Sequence, residues 1–157
     1  MVYGEYIQEP QIKLAKLLAD NLPDKLSTSY FTNSGTEAIE GAMKLSKRIT
    51  GRSEIIYCKD SYHGSTQGSL SVMGNEEYKS KYRPLLPNCK QIIFNDTKSL
   101  ESINCKTAAV IIETIQGASG FKIADNKFLK ELDKKLKHNT TKKIKINSTG
   151  ITRRKRT

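Results

Sequence analysis

Ser34-Gly35-Thr36 lies between the short apolar run Tyr30 to Thr32 and an amphipathic helical pattern. The free N–H groups of a first helical turn, with the positive end of the helix dipole behind them, suit a phosphate monoester. Gly35 lets the backbone come close to an anion, and Thr36 is expected to cap the helix and donate a hydroxyl. The same residue types also serve as plain capping chemistry, so this turn needs support from elsewhere. Tyr62-His63-Gly64 follows the run Glu54–Cys58, and Glu113-Thr114-Ile115-Gln116-Gly117-Ala118 follows the run 108–112. An open α/β sheet presents its ligand groups at such strand ends. The bland alternatives are an aromatic pair that packs a loop for Tyr62-His63, and a solvated strand end for Glu113.

The elements that must position these groups follow from periodicity. Pro10 fits the first turn of a helix ending near Asn21, with Ile12, Leu14, Ala15, Leu17 and Leu18 as its apolar face. Tyr30 to Thr32 reads as a short strand. A helix is expected from Thr36 to Thr50, with Ala38, Ile39, Ala42, Leu45 and Ile49 at three- and four-residue spacing and Gly51 as its stop. Glu54 to Cys58, Gln91 to Asn95 and Ala108 to Ile112 read as further strands, the last the most continuously apolar and so the most central. The segment through Gly74 reads as a loop with a short helix, and 78–88, with Pro84 and Pro87, as an irregular excursion. Asp125 is placed to cap a last helix carrying Phe128, Leu129, Leu132 and Leu136. Strands alternating with helices predict an α/β fold with a mostly parallel sheet and flanking helices.

The stretches "NSGTEAIEGAMKLSKRITGR" and "SYHGSTQGSLSVMG" resemble the class III aminotransferases of the ornithine, acetylornithine and 4-aminobutyrate type, which use pyridoxal 5'-phosphate. The resemblance covers residues 1–136, and its motifs occur in the family's order. It implies part of the large domain of the aspartate aminotransferase-like transferases. It also implies a fragment, because the family's chain is more than twice as long. Gly35 and Thr36, with Ser34 beside them, match the family's phosphate-binding positions. Tyr62 matches the aromatic residue that stacks on the pyridine face, His63 is its neighbour in the motif and is expected to help fix that loop, and Glu113 matches the active-site glutamate. The family often reads Glu-Pro-Ile-Gln-Gly-Glu where this chain has Thr114 and Ala118. Ala118 cannot pair with an arginine as that second carboxylate does, so neither ornithine nor 4-aminobutyrate is assigned as substrate. No lysine lies in a motif matching the family's Schiff-base lysine, so this chain alone is expected to be inactive. The implied partners are an amino donor, a 2-oxo acid and, for the full-length family, a second copy in a homodimer.

The net charge of +11 points first to nucleic acid or an anionic surface. Eight of those charges lie in 137–157, which has no acidic residue, and the rest of the chain carries only +3. We read 1–136 as a partial cofactor-binding domain and 137–157 as a basic, disordered tail, with a frameshifted or alternative end as the favoured origin. The competing function is a non-catalytic remnant, or a nucleic-acid-binding protein that uses "TRRKRT". Cys58, Cys89 and Cys105 are odd in number and widely spaced, which fits reduced, partly buried thiols rather than a disulfide or metal framework. Met1 is followed by Tyr3, Glu5 and Tyr6 rather than by a basic region and an apolar run, so a cytoplasmic protein without a signal peptide or membrane span is expected.

Overall fold

The computed structural model describes residues 7–23 and 26–139, together with the paired backbone of 146–147. The elements in chain order are α1 (Glu9–Asn21), α2 (Gly35–Thr50), β1 (Glu54–Cys58), α3 (Gln67–Ser71), β2 (Cys89–Ile92), β3 (Thr107–Ile112), β4 (Ile115–Gln116), β5 (Lys122–Ile123), α4 (Asn126–Asn139) and β6 (Ile146–Asn147). β2, β1, β3 and β6 lie side by side in that order, and every pairing is parallel. β4 and β5 form a small antiparallel pair.

β1 and β3 are apolar runs because both of their faces are covered. Ile55 and Tyr57 of β1 join Ala109 and Ile111 of β3 against Ile39 and Met43 of α2. The alternate residues Ile56, Cys58, Val110 and Ile112 face Phe128, Leu132 and Leu136 of α4. The two-residue period of the strands thus meets two helices, one per face, and gives a three-layer α/β/α arrangement. Each fully buried large side chain in these layers contributes about 1.5–3 kcal/mol. Glu54 at the start of β1 is the buried polar exception. Burial pushes its carboxyl up, but Lys90, Thr107 and Asn104 outweigh that and hold it below the ordinary range.

Four expectations change. Tyr30 to Thr32 joins no ladder, and Tyr30 is 77% exposed, so a short apolar run without a neighbour remains unpaired extended chain. β2 begins at Cys89 and has ended before Phe94, because the chain turns through a left-handed Asn95 (φ 63°) and Phe94 packs edge-on against Phe128 at 5.8 Å. The helix expected to stop at Leu136 continues through Lys137, His138 and Asn139, and Ile146–Asn147 pairs with β3, so a tail beginning at 137 is not what the chain forms there. The remainder of the expected tail lies outside the described residues. Cys105 is exposed, while Cys58 is buried and Cys89 intermediate; all three are free thiols. Among the described residues no helix is long and apolar enough to cross a membrane, and no cluster of metal-ligating side chains occurs.

Candidate active site

The parallel strands β1 and β3 deliver Tyr62 and Glu113 to the same edge of the sheet, just beyond their carboxyl ends. The Tyr62 N–H donates to Glu113 Oε2 at 3.4 Å, which ties the two strand ends together. Burial raises the Glu113 carboxyl above its ordinary range, and the Tyr62 N–H partly offsets that rise. The Tyr62 side chain is 48% exposed, so an aromatic face is available to a ligand.

The mouth of α2 is the second component. Ser34, not Thr36, occupies the N-cap position, and its Oγ accepts from the Glu37 N–H at 3.3 Å. The Ala38 N–H donates to the Ser34 carbonyl at 3.1 Å, and the amides of Gly35 and Thr36 stand at the open end of the helix. A Cβ on Gly35 would meet nothing within 4 Å, so the space in front of this turn is open. The expectation that Thr36 caps the helix is therefore corrected, because the preceding residue already takes that role. Its hydroxyl is engaged elsewhere: Thr36 Oγ1 lies 2.6 Å from both Thr66 Oγ1 and Ser69 Oγ.

Gly64 joins the two components. A Cβ there would lie 2.5 Å from Thr36 Cβ and Oγ1, and its φ of +113° disfavours any L side chain. The loop that carries Tyr62 and His63 is thus seated directly on the first turn of α2. Ser34, Gly35, Thr36, Tyr62 and Glu113 belong to one neighbourhood. His63 is buried in that loop, and neither ring nitrogen has a hydrogen-bond partner. It holds the loop by packing and not by hydrogen bonds. Desolvation lowers its pKa to about 4, so the ring is neutral near pH 7.

Several residues that fix this platform were not singled out from the sequence. Gly74 N–H donates to the Ser61 carbonyl at 2.8 Å, and its own carbonyl accepts from the Asp60 N–H at 3.1 Å and from Gln91 Nε2 at 2.8 Å. A Cβ on Gly74 would run into the backbone of Cys58, Asp60 and Ser61. Lys79 is buried, donating from Nζ to the Tyr57 hydroxyl and the Met73 carbonyl, each at 2.8 Å. Gln116 is fully buried and donates to the Lys59 carbonyl at 2.9 Å, which docks the segment after Glu113 onto the loop before Tyr62. The glycine of Tyr-His-Gly was the one sequence signal for this tight seating. A lysine in an irregular segment carried none.

A family profile described as aminotransferase class-III matches residues 1–141. The chain is 45% identical over 113 residues to a [LysW]-aminoadipate semialdehyde/glutamate semialdehyde transaminase of Sulfolobus acidocaldarius, covering 72% of this chain and 29% of that protein. It is 39% identical over 128 residues to the acetylornithine aminotransferase of Methanopyrus kandleri, covering 81% of this chain and 33% of the relative. The chain therefore spans about a third of the length of these relatives. Among solved structures it is similar to adenosylmethionine-8-amino-7-oxononanoate aminotransferase from Methanocaldococcus jannaschii, with a TM-score of 0.84 and 26% identity over 94% of this chain and 37% of that one. An amine transaminase from an uncultivated Pseudomonas species, solved in a PLP-bound form, has the same fold with a TM-score of 0.82 at 19% identity, over 94% of this chain and 39% of that one. A profile matching nearly the whole chain, with relatives above 30% identity over more than two thirds of it, places the chain in the class III aminotransferase family.

Proposed function

We propose that Ser34, Gly35, Thr36, Tyr62, His63 and Glu113 belong to a binding site for pyridoxal 5'-phosphate. The whole protein would be an aminotransferase that moves an amino group between an amino acid or ω-amine and a 2-oxo acid. One observation carries the reading: the open mouth of α2, a half-exposed aromatic ring and a partly buried carboxyl meet at the carboxyl ends of adjacent parallel strands. These residues fit the group. The clear space at Gly35 leaves room for a phosphate against two backbone amides, and the helix dipole favours its charge. Tyr62 offers a ring face to an electron-poor heterocycle.

The bound cofactor supplies an electron sink for the carbon that carries the amino group. The amides of Gly35 and Thr36 hold the phosphate, and Ser34 keeps the helix end in place by occupying the Glu37 N–H. Tyr62 orients the ring, while neutral His63 fills the space behind it without adding charge. Glu113 retains a proton more readily than an ordinary carboxyl; since Oε2 accepts the Tyr62 N–H, that proton sits on Oε1. We propose further that the protein acts in the cytoplasm as a homodimer. The exposed Ile12, Leu14 and Leu17 on α1 support a covering partner.

The experiment is a binding titration of the full chain with 4-deoxypyridoxine 5'-phosphate, which lacks the aldehyde and so cannot react with the many lysines. Tyr62→Ala is expected to weaken binding roughly three- to tenfold, the worth of one aromatic contact, and Tyr62→Phe to retain it. Equal loss in both variants would remove Tyr62 from the site.

A further inference from the structure

Glu40 lies one turn into α2, and its Oε1 accepts three hydrogen bonds from the start of α3. The Gly68 N–H donates at 2.8 Å, the Ser69 N–H at 3.0 Å and the Thr66 hydroxyl at 2.6 Å. A Cβ on Gly68 would strike the Glu40 carboxylate, so the two segments are in tight contact.

This contact sets the direction of a hydroxyl chain. A carboxylate only accepts, so the single Thr66 hydroxyl proton is committed to Glu40. Thr36 Oγ1 lies 2.6 Å from Thr66 Oγ1 and must therefore be the donor in that bond. With the Thr36 proton used, Ser69 Oγ, also at 2.6 Å, donates to Thr36. The bonds run Ser69 to Thr36 to Thr66 to Glu40. Thr36 Oγ1 additionally faces the Thr66 N–H at 3.4 Å, which completes its acceptor capacity.

We propose that Glu40 is a positioning residue for the cofactor phosphate: it draws the Thr36 hydroxyl proton inward, so the backbone amides of Gly35 and Thr36, and not the Thr36 side chain, hold the anion. This inference rests on the phosphate site proposed above. Removing the acceptor frees Thr66 to donate toward Thr36 and releases the start of α3 from α2, which disturbs the first turn where the anion binds.

The test uses the full chain and 4-deoxypyridoxine 5'-phosphate, with the Thr66 hydroxyl proton followed by NMR in the ligand-free protein. Glu40→Ala should weaken binding about tenfold, the loss of a charge-assisted hydrogen-bond network at one remove. Glu40→Gln keeps an oxygen at the same place and should rescue binding to within about threefold of the parent. Thr36→Val should cost less than Glu40→Ala, because Ser69 Oγ also has the Thr66 carbonyl at 3.2 Å as acceptor. The Thr66 hydroxyl resonance should exchange slowly in the parent and in Glu40→Gln, and vanish in Glu40→Ala. A larger loss for Thr36→Val than for Glu40→Ala would overturn the inference, as would a Thr66 resonance indifferent to Glu40→Ala. A parent chain that shows the slow resonance but binds no analogue at millimolar concentration would refute the cofactor reading, and with it the assignment of Glu40 to phosphate positioning.

Discussion

Gly64→Ala should destabilise the protein by about 3 kcal/mol, one of the two largest effects expected of any change near the site. Two penalties act together at this position. The backbone sits at φ +113°, and the added methyl would lie 2.5 Å from Thr36 Cβ and 2.9 Å from the Thr36 Cα. A backbone atom cannot swing aside as a flexible side chain can. Relief must come from the Tyr62 loop lifting off α2, which would also separate the aromatic ring from the helix mouth. Urea denaturation monitored by circular dichroism reads the stability loss directly. The double variant Thr36→Gly with Gly64→Ala should recover the steric part and leave the conformational part, so the two changes will be non-additive. Additivity would mean that the loop is not seated on Thr36.

The second large effect is a pH dependence centred on His63. Its pKa is lowered to about 4 by burial, against 6.5 for an ordinary imidazole. The folded-state value lies below the unfolded one, so between these limits the unfolded chain binds the extra proton. Stability then falls as pH drops from 6.5 toward 4, by about 3 kcal/mol in total for this one group. Glu113, whose pKa is raised, acts in the opposite sense as pH falls through its own titration. Glu54, held low, adds its loss only below the ordinary carboxylate range. The check is a set of denaturation curves from pH 7 to 4, alongside NMR titration of the His63 ring. A ring that titrates near 6.5 in the folded protein would show that its surroundings are wet or that a partner reaches its nitrogens.

The layers of the fold were legible because burial on two faces leaves a compositional mark. Ile55 to Cys58 and Ala108 to Ile112 are continuous apolar runs, and Phe128, Leu132 and Leu136 recur at helical spacing, so the two helices and the sheet between them could be read directly. Tyr30 to Thr32 carries the same residue types over too short a span, and nothing in its composition reports that no strand lies beside it. The candidate site was legible in its motifs and not in its wiring. Gly35, Thr36, Tyr62 and Glu113 stand out by type and position, but the bonds from Thr66 and Ser69 to Thr36 and Glu40 join residues 26 to 33 positions apart. A glutamate on a helix reads as a solvated face until the neighbouring segment is seen against it. The burial of Lys79 is hidden for the same reason, since its acceptors are a tyrosine hydroxyl on β1 and a carbonyl at a turn.

The central claim is that the mouth of α2, Tyr62 and Glu113 form one site for a phosphate-bearing heterocycle. The most direct measurement is a two-dimensional amide NMR map of the full chain titrated with 4-deoxypyridoxine 5'-phosphate and, separately, with inorganic phosphate. The account predicts that the organic ligand moves the amides of Gly35, Thr36, Tyr62 and Glu113 together with one affinity. Inorganic phosphate should move Gly35 and Thr36 and leave Tyr62 in place. Shifts centred instead on Lys130, Lys134 and Lys137 of α4, with the helix mouth unmoved at saturation, would contradict it.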